Sequence, residues 1–228
     1  MISIIIPTLN EEEGVARTIN SIPASIKKDA QVLVVDVSTD KTPTIATSLG
    51  AQVIRADRKG KGYQMRLAVK KSKGDILVFM DGDGTHPGSY IPKMLDALED
   101  ADLVLGCHNL LKIEGESEKM RNIFRIYSFI ALPISKVLNL NVSDPLAGFR
   151  AIRRRDWDRL QLKSNDFDIE TEMNINAVKN NFRIAEVSIP NLERSGGAQS
   201  SKFLKSPKMW VKIFQMLLDY TLEKNNFK

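Results

Sequence analysis

Between Ile76 and Pro87 the chain reads ILVFMDGDGTHP, an apolar run that stops abruptly at two aspartates separated by a single glycine. A short continuous apolar run entered through Gly74 and Asp75 predicts a buried strand. Asp81 and Asp83 then stand at its carboxyl end, the edge at which open α/β sheets keep their ligands.

Alternation along an extended strand puts both aspartates on one side, and Gly82 and Gly84 let the backbone bend and come close to a ligand. Two carboxylates so placed repel unless a positive charge lies between them. Hard oxygen ligands in this number suit Mg²⁺ or Mn²⁺, with water and substrate phosphates completing the coordination. An acidic turn is the simpler reading of an isolated D-x-D. A calcium-binding helix-loop-helix is excluded, because Thr85, His86 and Pro92 stand where it needs an oxygen ligand, a glycine and a glutamate.

The same alternation recurs along the first half. A β-branched run ends at Pro7, and Asn10 is expected to cap a helix whose first turn carries Glu11, Glu12 and Glu13. Val32 to Val35 predict a second strand ending in Asp36, and Ser38-Thr39-Asp40 announce a helix closing near Gly50. Gln52 to Arg55 predict a third strand; Lys59-Gly60-Lys61-Gly62 then lead into a helix reaching about Lys71. This βαβ spacing predicts an α/β fold with a mostly parallel central sheet flanked by helices. Acidic groups recur at strand ends, with Glu11 after the first, Asp36 after the second and the Asp81/Asp83 pair after the fourth. Neither G-x-G-x-x-G after the first strand nor G-x-x-x-x-G-K-[ST] anywhere is present, so a dinucleotide fold and a P-loop are not supported.

The chain's 228 residues, 43% hydrophobic, are enough for one sizeable core and short for two full domains. We expect one domain over 1–203 and a C-terminal amphipathic helix over 204–228. Cys107 is the only cysteine, which rules out an internal disulfide and fits a reducing compartment. Met1 opens directly into an apolar run without a basic leader, so a cytoplasmic location is expected. The longest uncharged run, Ile126 to Ser135, is about half of the roughly 20 residues needed to span a bilayer. A net charge of +5 favours anionic partners, yet no aromatic and basic interleaving points to nucleic acid.

In order, IIIPTLNEEEG, VVDVSTDKT, DGDGTHP and SDPLAGFR resemble glycosyltransferase family 2, the inverting GT-A nucleotide-diphospho-sugar transferase fold, over residues 1 to about 202. Within the family the likeness is to the dolichol-phosphate mannose synthase and polyprenyl-phosphate glycosyltransferase branch. The resemblance implies that Pro7, Asn10 and Glu11 embrace the nucleotide, that Asp36 recognises the base, and that Asp81 and Asp83 hold the metal. Thr85 stands where that branch usually has glutamine, while Val37 and Lys41 replace an acidic residue and a glycine. The resemblance also places Asp144 and Arg150 at the active site, a helix contacting the lipid-linked acceptor near Arg121 and Arg125, and a substrate-closing loop over Arg194 to Lys202.

The second half reads as follows. Glu99 to Gly106 predict a strand, and Met120 to Leu138 a helix with Arg121 and Arg125 on one face. Asn141 to Arg150 predict a turn, with Arg150, Arg153, Arg154 and Arg155 as guanidinium groups suited to phosphate. Phe167 to Lys179 predict a helix, Arg183 to Ile189 a strand, and Leu204 to Lys224 a last helix. Its broad apolar surface must be buried on the domain, on another copy of the chain in a homo-oligomer, or in a membrane interface.

The expected chemistry is in-line attack of a polyprenyl-phosphate oxygen on the anomeric carbon of a sugar such as GDP-mannose or UDP-glucose, on the cytoplasmic face of a membrane. A phosphate acceptor is already ionised near neutral pH and needs no strong base. Cations replace that base: Arg121, Arg125 and Arg150 hold the acceptor with Lys202. The alternative, a glycan or small hydroxylated acceptor, needs a carboxylate base, for which Asp144 is the candidate.

Overall fold

The computed structural model describes residues 1–108, 118–195 and 206–226. Its strands are β1 (Ile2–Thr8), β2 (Ala30–Asp36), β3 (Gln52–Arg55), β4 (Ile76–Phe79), β5 (Leu103–His108), β6 (Phe149–Arg153) and β7 (Ile184–Ile189). The helices are α1 (Val15–Ser21), α2 (Ala24–Lys27), α3 (Thr42–Ser48), α4 (Lys61–Lys71), α5 (Ile91–Asp100), α6 (Glu118–Leu138), α7 (Arg154–Leu160), α8 (Ile169–Lys179) and α9 (Pro207–Asn226).

The strands form one sheet in the order β3-β2-β1-β4-β6-β5-β7. From β1 the chain steps outward to β2 and β3, then returns to lay β4 against the other side of β1, with Ile2 opposite Ile76 in parallel register. The carboxyl ends of β1 and β4 therefore flank the point where the winding reverses, the crevice in which such sheets bind ligands. Only β6 runs against its neighbours, pairing Phe79 with Arg150 and Gly106 with Phe149. Its reversed direction brings its first residue, and the turn before it, to the end of β4.

Alternating strand residues feed two cores. Ile5, Leu33, Leu77 and Leu105 pack beneath α4, α7 and α8, and Ile4, Ile6, Val34 and Val78 beneath α1, α3 and α5. A third cluster joins α6, α8 and α9 through Ala131, Ile134, Ile175, Met209, Ile213 and Leu217. Each fully buried aliphatic side chain contributes about 1.5–3 kcal/mol.

Three local readings of the sequence are corrected. Asn10 does not cap a helix; it sits at φ 52° and its Oδ1 accepts the Thr39 N–H at 3.0 Å. The acidic segment instead interlocks with the β2–α3 loop, where the Glu11 N–H donates to Thr42 Oγ1 and Lys41 N–H to Glu12, so α1 starts only at Val15. Short polar side chains here bond a neighbouring loop in preference to their own helix. Second, Glu99 and Asp100 close α5, whose Ile91, Met94 and Leu98 form the buried face, and β5 begins at Leu103. Third, the expected turn at Asn141 to Arg150 runs into a strand, since Phe149 and Ala151 enter one core while Ile152 enters the other.

Candidate active site

The carboxyl edge at the switch point opens into a cleft of about 200 Å³, lined by Pro7, Glu11, Lys61, Asp81, Asp83 and Arg194 among others.

The D-x-D turn is held from both sides. Met80 continues the β4 pairing through its N–H to the Ile5 carbonyl, and the Asp81 N–H donates to His86 Nδ1 at 2.8 Å. That bond leaves Nε2 to carry the proton of the neutral ring, 3.7 Å from Asp81 Oδ2. Burial lowers the His86 pKa, against the pull of Asp81, and its ring stacks on Phe149 at 5.5 Å. From α1, Thr18 donates to the Asp81 carbonyl at 3.1 Å and accepts the Gly84 N–H at 3.0 Å.

The two aspartates face the same cleft with different partners. Asp81 lies 2.6 Å from Lys61 Nζ, which also reaches Glu170 at 2.7 Å and is only 10% exposed. Burial would raise the Asp81 pKa, but Lys61 and His86 outweigh it and hold the carboxyl below its usual range; the same acids raise that of Lys61 against burial. Gly148, in the turn before β6, makes this arrangement possible, because a Cβ there would lie 2.7 Å from Asp81 Oδ2 and 2.8 Å from Lys61 Nζ. Asp83 accepts the Thr85 N–H and hydroxyl at 3.1 and 2.6 Å, and its other oxygen faces Arg194 at 3.5 Å. Arg194 also donates to both oxygens of Glu11 at 2.6 and 2.8 Å. Thr85, the departure from the family pattern, thus orients Asp83.

Among the described residues of this ion-paired network four carboxylates, Glu11, Asp81, Asp83 and Glu170, face two cations, Lys61 and Arg194. Among the described residues no three carboxylate, imidazole or thiolate groups converge into a cage. A few carboxylates with water and phosphate completing the shell is the manner in which Mg²⁺ is usually held.

The remaining expected site residues divide. Pro7 and Glu11 line the cleft. Asn10 and Asp36 do not; Asp36 is completely buried and accepts from Thr8 Oγ1 at 2.8 Å, the Ser38 N–H at 3.1 Å and Arg55. Arg150, expected to hold an acceptor phosphate, is also completely buried. Its guanidinium donates to the carbonyls of Ala147, Pro145 and Glu170 and to Asn174 Oδ1 at 2.7–3.2 Å. It pins the Asp144–Gly148 turn to α8, since a buried guanidinium must be satisfied by nearby oxygens. Arg153 bonds the Ala101 and Leu98 carbonyls at the end of α5, Arg154 bonds the Gly74 and Val69 carbonyls and the Ser72 hydroxyl beside the start of β4, and the exposed Arg155 pairs with Asp156.

Asp144 is buried, and its Oδ1 accepts from Tyr127 Oη at 2.8 Å and the Leu146 N–H at 3.0 Å. Burial pushes its pKa up to about 6, against the hydrogen bonds from Tyr127 and Leu146. Arg121 and Arg125 lie on α6, but their side chains, like Lys202, are outside the described residues. The sequence reading assigned no role to Lys61, Glu170 or Arg194. Lys61 stands in the Lys-Gly-Lys-Gly run at a strand-to-helix junction, a signal that a basic group faces the carboxyl edge.

Comparisons with known proteins agree with this geometry. Residues 3–160 match the model of Glycosyl transferase family 2. The chain is 32% identical over 228 residues to the low-salt glycan biosynthesis hexosyltransferase Agl6 of Haloferax volcanii, covering 96% of this chain and 53% of that one, so it spans about half of that relative. It is 30% identical to a dolichyl-phosphate hexose transferase of the same organism, covering 97% of this chain and 96% of that one. An undecaprenyl-phosphate mannosyltransferase of Micrococcus luteus is 29% identical, with 85% and 84% covered. Among solved structures, glucosyl-3-phosphoglycerate synthase from Mycobacterium tuberculosis superposes with a TM-score of 0.77 at 24% identity, covering 97% of this chain and 80% of that one, a likeness of fold. Sheet order, cleft and family match converge: the chain is a family 2 glycosyltransferase of the GT-A fold.

Proposed function

We propose that this enzyme transfers a hexose, with inversion and with the help of Mg²⁺ or Mn²⁺, from a nucleotide-diphosphate sugar to a polyprenyl phosphate at a membrane surface. The observation that carries this reading is the cleft at the switch point, into which the paired aspartates Asp81 and Asp83 both open beside Glu11. Relatives named for dolichyl and undecaprenyl phosphates support the acceptor, and a solved neighbour titled with Mn²⁺ and UDP supports the donor class.

Asp83 and Asp81 would hold the divalent ion, which when bound neutralises charge on the leaving diphosphate. Pro7 and Glu11 form the donor wall beyond β1. Thr85, His86 and Thr18 keep the aspartates aimed into the cleft without reorganisation at the moment of reaction. Because the acceptor arrives as an anion, no side chain must take a proton from it. One observation favours a hydroxyl acceptor instead: the Asp144 pKa of about 6 suits a general base.

No helix among the described residues is long and apolar enough to cross a membrane. Attachment at a lipid surface is supported by Val211, Phe214, Leu218 and Leu222, which recur along the outer side of α9, and by Phe129 on α6, 79% exposed. In that reading the protein is peripheral, on the cytoplasmic face.

The test is a panel of nucleotide sugars with and without a prenyl phosphate, each with Mg²⁺, Mn²⁺ or chelator, read by nucleoside diphosphate release. Release that requires both lipid phosphate and divalent ion is expected. Turnover indifferent to the lipid but raised by a hydroxylated acceptor, and lost in Asp144→Asn, would establish the second reading in its place.

A further inference from the structure

After β7 the chain is fastened to this edge of the cleft at three points. The Arg17 guanidinium donates to the Glu193 carbonyl at 2.8 Å, and the Ser195 N–H donates to the Asp83 carbonyl at 3.0 Å. Between them Arg194 bridges Glu11 and Asp83, with side-chain exposures of 21%, 13% and 15%. Burial disfavours the Arg194 charge, but Asp83 and Glu11 together raise its pKa, so it is a guanidinium throughout the physiological range. Its carboxylates are the outer pair of the cleft, on the side away from Lys61 and Glu170.

We infer that Arg194 is a resident counter-cation of Asp83 and Glu11 that a divalent ion must displace, so that metal and nucleotide diphosphate enter the site cooperatively. The inference rests on the metal-dependent donor site proposed above. A guanidinium and a divalent cation facing one carboxylate oxygen repel each other, so both cannot keep short contacts to Asp83. The metal alone would have to break the Arg194 contact and leave a partly buried guanidinium with fewer acceptors. A diphosphate arriving with the metal removes that penalty, because it offers the displaced guanidinium bidentate oxygens. Each ligand then favours the other, and the coupling is reciprocal. Lys61 cannot take this part: it is clamped between Asp81 and Glu170 under Gly148, with no room to swing.

The experiment measures Mn²⁺ affinity by electron paramagnetic resonance on the whole chain, with and without UDP or GDP, for the wild type, Arg194→Gln and Lys59→Gln. Lys59 also lines the cleft but has no recorded bond to the acid pair, and so reports the effect of removing a nearby charge alone. Wild type is expected to bind Mn²⁺ weakly by itself and at least about tenfold more tightly with nucleotide, the scale of an ordinary coupling energy. Arg194→Gln should bind nucleotide-free Mn²⁺ about tenfold more tightly than wild type and lose most of the nucleotide enhancement. Amide hydrogen exchange at Ser195 should quicken in Asp83→Asn without any metal. Equal nucleotide-free affinity in wild type and Arg194→Gln, or an equal gain in Lys59→Gln, would overturn the inference while leaving the donor site intact. Absence of Mn²⁺ binding in every form, with or without nucleotide, would overturn the proposed function and this inference together.

Discussion

Asp81 and Asp83 are two residues apart, yet their surroundings obey opposite rules. Asp81 belongs to a closed knot in which a lysine from α4 is shared with Glu170 from α8 under a glycine that leaves no space. Asp83 belongs to a latch in which a loop arginine is shared with Glu11. Lys61 keeps both of its acids within 2.7 Å, whereas Arg194 stands 3.5 Å from Asp83, and Coulomb attraction falls with distance. The knot is therefore expected to carry more of the stability and the latch to exchange more readily.

The largest effect is expected from breaking the knot. Lys61→Ala leaves Glu170 and Asp81 without their cation and should lower stability by about 3–5 kcal/mol, read by urea denaturation. A loss under about 1 kcal/mol would mean that the knot is no tighter than the latch.

Asp144 sharpens the contrast, being a buried carboxyl whose direct partners are a hydroxyl and an amide instead of a cation. Its folded pKa of about 6 lies above the value in an unfolded chain, so the folded state binds the proton more tightly. The stability this contributes is full below about pH 4 and is lost as pH rises through 6. Asp144→Asn should remove that slope and be more stable than wild type at pH 7.5 by about 3 kcal/mol. Denaturation midpoints at pH 4.5 and 7.5 that keep the same slope in both proteins would refute this.

Gly148→Ala should cost about 1–3 kcal/mol, since its methyl meets Asp81 and Lys61 at less than contact distance. It should also abolish turnover, which a thermal melt paired with an activity assay would check. Smallest in stability is Asp83→Ala, expected to lose under about 1 kcal/mol because Arg194 keeps Glu11. Isothermal titration should nonetheless find its Mn²⁺-dependent binding of nucleoside diphosphate abolished. Retained tight binding would put the metal elsewhere.

Much of the sheet's carboxyl edge was legible in the sequence. The apolar runs ending at Pro7, Asp36 and Asp81 predict β1, β2 and β4 because a strand buried on both faces has no polar alternation to hide it. Gln52 to Arg55 is β3 as read, and the helix after the Lys-Gly-Lys-Gly run begins at Lys61. The misreadings share one cause, which is that a polar side chain does not announce its partner. Asn10 reads as a cap by type and bonds Thr39 in another loop; the Arg150 guanidinium, suited by type to phosphate, bonds the carbonyls of its own turn and oxygens of α8. β6 was hidden by that arginine, since charged residues are rarely fully buried unless paired.

Short-range chemistry along the chain thus determined the strands, the order of the motifs and the pair of acids at the sheet's edge, because hydrophobic period and turn residues act over a few positions. Which cation meets which acid was decided only by the fold. Lys61 and Gly148 reach Asp81, Glu170 reaches Lys61, and Arg194 reaches Asp83, across separations of 20 to 111 residues along the chain. Contacts of that kind follow from strand order, above all from the reversed β6 that carries its turn to the end of β4, and no local pattern encodes them.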